Sequence, residues 1–302
     1  MKKATIVIPT YKRPDRILRA VNSVLNQSYP NIEIIVVDDN GQKTNFADET
    51  KCVLQEYINS GRIIYLQNDI NRGGSYSRNQ GLNISTGDYI TFLDDDDEID
   101  IMKLEKQIQK LEELDDTYSC VYCGYRKIVK NNKIYLSSEY IEGDVYKFAL
   151  SRSIYLGSGS NLLVKTSIAR EIQGYDTEFR RNQDLEFLTR LLKNYKLAYV
   201  DEVLMTVHYE IRETKRTYSE LVKIDNFYLS KFKSEIDKLE IKDQINIFSI
   251  IALERFRYSL IGNISDGIKN LLNNKVSMTK FIKYIFYLVD RIIRKKSYGF
   301  KG

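Results

Sequence analysis

Tyr89-Ile90-Thr91-Phe92-Leu93-Asp94-Asp95-Asp96-Asp97-Glu98 decides how the rest of the chain is read. Its first half is largely apolar, as in a buried strand, and it runs straight into five carboxylates. These must lie just past the strand's end, because an unpaired charge is not tolerated inside. Adjacent aspartates repel one another, and a hard divalent cation neutralises them well: Mg²⁺ or Mn²⁺ takes carboxylate oxygen and shares its shell with phosphates. The competing reading is a solvated acidic loop. Against it, the run closes a strand, and open α/β sheets place their ligands at carboxyl ends of strands. An EF-hand is excluded, since the sixth position counted from Asp94 is Ile99, where Gly is required.

Upstream, Ala4–Ile8 reads as a strand stopped by Pro9, and Ile17, Ala20, Val21, Val24 and Leu25 share one helical face. Ile32–Val37 is a second strand ending in the turn signal Asp38-Asp39-Asn40-Gly41. A helix around Ala47–Asn59, a strand Arg62–Leu66, a polar loop over 67–74 and a helix Ser75–Ile84 lead to the quoted strand. This alternation predicts an α/β fold, Rossmann-like, with a mostly parallel central sheet and helices on both faces. The dinucleotide fingerprint G-x-G-x-x-G and the P-loop are both missing after the first strand.

Downstream, Leu104, Ile108 and Leu111 mark a helix. Thr117–Tyr122, Tyr125–Lys130 and Lys133–Ser137 read as antiparallel strands, the last two joined at Asn131-Asn132. A helix within Gly143–Ser151, a flexible loop Leu156–Asn161, a strand Leu162–Val164 and a short helix Thr166–Ile172 come next. A helix Asp184–Lys193 precedes strands Leu197–Val200 and Val203–His208. From about Thr217 long helical patterns take over: Tyr218–Leu239, Asp243–Ile261, Ser265–Leu272 and Thr279–Lys296. The expected organisation is therefore a catalytic domain over 1–212 and a C-terminal helical extension over 213–302.

With 302 residues, 43% of them apolar and 29% charged, the chain has the makeup of an ordered protein with a sizeable core. The net charge of +5 sits in the tail: Asn273 to Gly302 carries eight basic residues against one acid, Asp290. The remainder is slightly acidic, which argues against a nucleic-acid partner. Three cysteines without a framework point to a reducing compartment, and Cys120-Val-Tyr-Cys123, lacking a second pair, reads as structural. Only Ala4 to Ile8 separates Met-Lys-Lys from Pro9, too short for a secretory leader, and no stretch approaches the roughly 20 apolar residues of a membrane helix. The expected location is the cytoplasm.

The ordered pieces Val7-Ile8-Pro9-Thr10-Tyr11-Lys12-Arg13-Pro14, Ile35-Val36-Val37-Asp38-Asp39, Asn71-Arg72-Gly73, Ser77-Arg78-Asn79-Gln80-Gly81, Gly87 through Asp97, and Asn182-Gln183-Asp184-Leu185-Glu186-Phe187 resemble the inverting glycosyltransferases of family 2. The resemblance covers roughly residues 4–210 and implies the nucleotide-diphospho-sugar transferase (GT-A) fold. It implies transfer of a sugar from a nucleoside-diphosphate donor, a UDP-sugar first, to a glycan or polyprenol-linked saccharide, as in bacterial surface-polysaccharide assembly. Asp39 would accept a hydrogen bond from the base ring N–H, with Pro9, Thr10, Tyr11 and Arg13 lining the same pocket. The D-x-D motif falls on Asp94-Asp95-Asp96. Asp96 would be the first metal ligand, Asp94 and Asp95 would reach ribose hydroxyls or metal-bound water, Asp97 could share either role, and His208 would lie near the metal. Arg78 would contact the diphosphate. Asp184 would be the catalytic base; Gln183 stands where the family usually has Glu, which puts the acceptor contact in question.

Two other classes stay in view. A non-catalytic nucleotide-sugar-binding scaffold would use the tail as its working part. A sugar nucleotidyltransferase would need a Gly-rich loop where Pro9-Thr10-Tyr11 stands. In Thr279–Lys296, the stripe Phe281, Ile282, Ile285, Phe286, Val289, Ile292 and Ile293 beside six cations fits either a helix lying on a membrane surface or one packed on its neighbours.

Overall fold

The computed structural model describes residues 1–129, 132–209 and 217–302. The chain divides into two compact units, Met1–Asp144 with Leu156–Tyr209, and Val145–Tyr155 with Glu210–Gly302. The expected boundary at 212/213, and Lys130 and Asn131 next to the expected strand connection, lie outside the described residues.

In the first unit, β1 (Ala4–Thr10), β2 (Ile32–Asp38), β3 (Ile64–Gln67) and β4 (Tyr89–Phe92) form a parallel half-sheet in the order β3-β2-β1-β4. The crossovers are α1 (Ile17–Leu25), α2 (Asn45–Asn59) and α3 (Gly74–Ile84). Then follow β5 (Glu98–Ile99), α4 (Lys103–Glu112), β6 (Tyr118–Val129), β7 (Lys133–Ser137), α5 (Tyr146–Leu150, in the second unit), β8 (Leu163–Lys165), α6 (Thr166–Glu171), α7 (Gln183–Leu192) and β9 (Lys196–His208). Strand alternation places helices on both faces. Ile6 and Ile8 share a core with Ile17, Val21 and Val24 of α1 and Leu104 and Ile108 of α4. Val7 points the other way, where Gly81 of α3 packs so closely that a Cβ there would sit 2.3 Å from a Val7 methyl.

Several elements differ from expectation. β1 runs through Pro9 to Thr10; pairing with β4 ends at Val7, so the missing N–H falls where β1 has only β2 beside it. The two strands expected on either side of Cys123-Gly124 are one strand, β6, and the two expected around Asp201-Glu202 are one strand, β9. β6 pairs with β9 in parallel, with register shifts around Gly124. A Cβ at Gly124 would meet the Glu202 carbonyl at 2.8 Å, so this glycine marks a close backbone approach, not a strand end. β6 and β7 are antiparallel, as read from the sequence. The loop expected to be flexible, Leu156–Asn161, ends in a 3₁₀ turn (Gly159–Asn161) whose Ser160 and Asn161 are buried.

The second unit holds α5 and α8 (Tyr218–Lys231), α9 (Lys233–Asp237), α10 (Ile241–Ser259), α11 (Ile264–Asn273) and α12 (Met278–Ile293). The helix expected over Tyr218–Leu239 is two, broken at buried Phe232, whose ring packs on Tyr228. Arg152 and Arg255 both pair with buried Asp225, at 2.6 and 2.9 Å. Tyr284 and Tyr287 of α12 are buried with Ile250, Leu253 and Phe300. Of the expected α12 stripe, Phe281 packs against Phe256, while the other six residues are exposed. Among the described residues, no helix is long and apolar enough to cross a membrane.

Candidate active site

The site grows from the carboxyl ends of β1, β2 and β4. At the end of β4, Asp94, Asp96 and Asp97 each offer a carboxylate oxygen, all within 4.8 Å of one another. Such an all-oxygen donor set suits Mg²⁺ or Mn²⁺, so the residues present fit a hard divalent cation. Two arginines hold this charge in check. Arg13, from the segment after β1, reaches Asp95 at 2.8 Å and Asp96 at 2.7 Å. Arg78 of α3 reaches Asp94 at 2.5 Å. Arg19 of α1 donates to the Asp96 carbonyl.

Asp95 points away from the three clustered carboxylates in its bonding. It is buried, and it accepts from Thr10 Oγ1 (2.8 Å), the Tyr11 N–H and Arg13. Thr10, Tyr11 and Arg13 are thereby brought to one carboxylate, with Pro9 just before them on β1. Asp97 is buried and accepts from Ser160 Oγ at 2.7 Å; the same hydroxyl accepts from the Asp94 N–H at 3.0 Å. Ser158 Oγ donates to the Asp94 carboxylate at 3.2 Å. Burial, then the neighbouring Asp94 charge, pushes the Asp97 carboxyl well above the usual range. Burial, outweighing Arg13, pushes Asp96 up to about 6.

At the end of β2 the two aspartates differ. Asp38 accepts from its own Asn40 N–H at 2.8 Å, an Asx-type turn, and from the Tyr65 hydroxyl. Asp39 accepts four hydrogen bonds. Asn68 Nδ2 and the Arg72 N–H reach Oδ1, and Asn71 Nδ2 and the Gly73 N–H reach Oδ2, all at 2.7–3.0 Å. Asp39 thus moulds the loop that starts α3. Gly73 has φ of +92°, a conformation closed to L side chains. A base N–H reaches Asp39 only by displacing one of these donors.

α3 links the two ends. The Arg72 and Gly73 N–H groups just ahead of its first residue sit on Asp39, and Arg78, in its second turn, holds Asp94 and also donates to Gln183 Oε1 at 3.1 Å. Gln183 and Asp184 open α7. The Asp184 Cβ lies 3.1 Å from where Gly159 would carry a Cβ, so the 3₁₀ turn packs on this helix start. Desolvation, then the Asp94 charge, pushes the Asp184 carboxyl upward. The Arg78 guanidinium lies 5.4 Å from the ring centre of Tyr175, which stacks on Phe187. His208, at the end of β9, faces Glu98 at 3.4 Å and is not among the clustered donor atoms.

The structure therefore gathers Thr10, Tyr11, Arg13, Arg78, Asp94, Asp95, Asp96 and Asp184 through direct contacts or shared charge, and Asp39 through α3. Sequence reasoning missed Asn68, Ser158, Ser160 and Tyr175, and quoted Asn71 within Asn71-Arg72-Gly73 without giving it a role. The only signal was Ser158-Gly159-Ser160, which reads as linker until its hydroxyls are seen on the aspartates.

Comparisons follow the same line. The chain matches the family model of glycosyl transferase family 2 over residues 5–173. It is 28% identical, over 80% of this chain and 85% of the relative, to the putative colanic acid biosynthesis glycosyl transferase WcaA of Escherichia coli. The crystal structure of S. aureus TarS 1-349 in complex with UDP-GlcNAc superposes with a TM-score of 0.65 at 17% identity, covering 96% of this chain and 83% of that one. The mannosyltransferase PcManGT from Pyrobaculum calidifontis, in complex with GDP-Man and Mn²⁺, gives a TM-score of 0.60 at 14% identity, covering 96% and 81%. Both structures share the fold.

Proposed function

The chain belongs to glycosyl transferase family 2 and is a glycosyltransferase; from that premise we propose that it is a metal-dependent, inverting enzyme. In this reading the donor is a nucleoside-diphosphate sugar, UDP-linked, and the acceptor a hydroxyl of a glycan or polyprenol-linked saccharide in surface-polysaccharide synthesis. The enzyme would work in the cytoplasm, at the inner face of the membrane that holds such an acceptor. The observation that carries the proposal is α3, which touches Asp39 at its start and joins Asp94 to the start of α7 through Arg78.

Each residue has a role. Asp39 with Pro9, Thr10, Tyr11 and Arg13 forms the nucleoside pocket, and the base N–H takes the place of an Asn68 or Asn71 donor on Asp39. Asp96 and Asp94 would be the first ligands of a Mn²⁺ or Mg²⁺ ion, with Asp97 beside them; Asp95, held by Arg13, would stay on the nucleoside side. When bound, the ion supplies positive charge to the departing diphosphate. Arg78, which holds Asp94, would contact the diphosphate. His208, which would lie near the ion by family resemblance, faces Glu98 here. Asp184 takes the acceptor proton as the acceptor oxygen bonds to the anomeric carbon; its raised pKa brings it closer to the working pH of a general base. A single base with direct displacement inverts the anomeric centre.

The test is Asp184→Asn, assayed with a panel of UDP-sugars and membrane-extracted acceptors. Transfer should fall by about 10³-fold or more, with UDP affinity within about twofold of the parent. Retained transfer overturns the assignment.

A further inference from the structure

The second unit carries a surface that the sugar-transfer chemistry does not use. α12 is fixed by one face: Phe281 packs on Phe256, Tyr284 donates to Glu254 Oε1 at 2.9 Å, and the Tyr287 hydroxyl donates to the Tyr298 carbonyl at 2.8 Å. With that face seated, the helix cannot roll to hide its other side. The other side is a continuous apolar ridge of Ile282, Ile285, Phe286, Val289, Ile292 and Ile293, spaced at i, i+3, i+4, i+7, i+10 and i+11. Phe286 is 70% exposed and Ile292 and Ile293 are each 73% exposed. α11 repeats the pattern on a smaller scale. Its Gly267 is buried against Ser259 and Phe256 of α10, while Ile264, Ile268 and Leu272 stand exposed at i, i+4 and i+8.

The charges beside these residues are mostly positive, with Asp266 the exposed acid of α11. Lys269, Lys275, Lys283, Arg294 and Lys295 are exposed. The one acid on α12, Asp290, is already engaged by Arg294 at 2.8 Å and by the Tyr298 hydroxyl at 2.7 Å. The ridge, about 18 Å from Ile282 to Ile293 at 1.5 Å per residue, is too short and too charged to span a bilayer. It has the form of a helix that lies in the interface, apolar side down, with cations level with the headgroups. Two copies meeting across the ridge would bring Lys283, Arg294 and Lys295 against their equivalents, whereas an anionic surface attracts them.

We propose that α12, with α11, docks the protein on anionic phospholipid, burying Phe286, Ile292 and Ile293 in the headgroup boundary. This stands apart from the reading of the active site, because none of its residues takes part in the sugar-transfer site. The test is flotation of the full chain with phosphatidylglycerol vesicles and with phosphatidylcholine vesicles, alongside Phe286→Ser/Ile293→Ser and Lys283→Gln/Lys295→Gln variants. The exposed positions make both variants safe for folding, which circular dichroism and unchanged UDP-induced thermal stabilisation check. The parent should float with phosphatidylglycerol and stay below with phosphatidylcholine. The serine variant should lose binding at least about tenfold, and the glutamine variant roughly fivefold per residue, with the loss vanishing at high salt. Failure of the parent to float with phosphatidylglycerol, or equal flotation with both lipids, overturns the proposal. So does a concentration-dependent dimer that the serine variant abolishes, which would assign the ridge to a second copy.

Discussion

Replacing Arg78 by Met removes the side chain that bridges Asp94 of the acidic run and Gln183 at the start of α7 while keeping most of its volume. The guanidinium is 14% exposed and its partner Asp94 34%. Breaking a fully buried pair costs about 3–5 kcal/mol, and an exposed pair is worth less than about 1; with one partner a third open to solvent, about 2 kcal/mol is the expected loss. The contact with the Tyr175 ring adds roughly 0.5–1 kcal/mol. The variant leaves Asp94, Asp96 and Asp97 facing one another with Arg13 bound on the Asp96 side alone. A divalent cation should therefore stabilise Arg78→Met more than it stabilises the parent, where Arg78 competes for Asp94. Urea unfolding with and without saturating Mn²⁺ measures both quantities. A loss under about 0.5 kcal/mol, together with an equal Mn²⁺ response in both proteins, would refute the placement of Arg78 as the stand-in for the ion.

Mn²⁺ stabilisation should also depend on pH: the ion needs carboxylate, Asp96 without an ion holds its proton up to about 6, so affinity falls roughly tenfold per pH unit below that point, as titrations at pH 7.5 and 5 would reveal. Lys103 is fully buried on α4 with Gln107 Oε1 as its acceptor, and burial pushes it down to about 8. Its folded pKa lies below the unfolded one, so its contribution is full above about 10.5 and is lost as pH falls through 8. Lys103→Met should thus gain up to about 3 kcal/mol relative to the parent at pH 7, an advantage shrinking toward pH 10, and a pH-independent difference in urea midpoints would rule this out. Gly73→Ala has open space for its Cβ but forces a side chain to φ of +92°, so its cost of about 1–3 kcal/mol is backbone strain alone and should appear together with weakened UDP binding in calorimetry. Ser160→Ala takes the Ser160 donor from buried Asp97 and should cost about 1–3 kcal/mol; the same urea assay decides.

The parallel half of the sheet was legible because its signal is local. β1, β2 and β4 are short apolar runs, and each ends in polar residues at the rim, so the acidic run and Asp39 could be placed from the sequence alone. What escaped was decided by partners far away in the chain. Gly124 reads as a break because nothing nearby reports that Glu202 of β9 passes against it. Pro9 reads as a stop because its tolerance depends on where β4 ceases to pair. Ser158 and Ser160 read as linker because their hydroxyls find acceptors more than sixty residues earlier in the chain. The four aspartates illustrate the same limit: composition makes them one ligand set, yet Asp95 is drawn to Thr10, Tyr11 and Arg13, leaving Asp94, Asp96 and Asp97 together. On α12, periodicity found the stripe but could not tell which side was already occupied; Tyr284 and Tyr287, outside that stripe, are the buried anchor.

Calorimetric titration of UDP into the protein, with Mn²⁺ and then with chelator, in parent and Asp96→Asn, goes to the heart of the account. UDP should bind the parent at least about a hundredfold more tightly with Mn²⁺ than without, and Asp96→Asn should bring the two conditions close to each other. Equal UDP affinity in chelator and Mn²⁺ for the parent would contradict a cation shared between the acidic rim and the diphosphate.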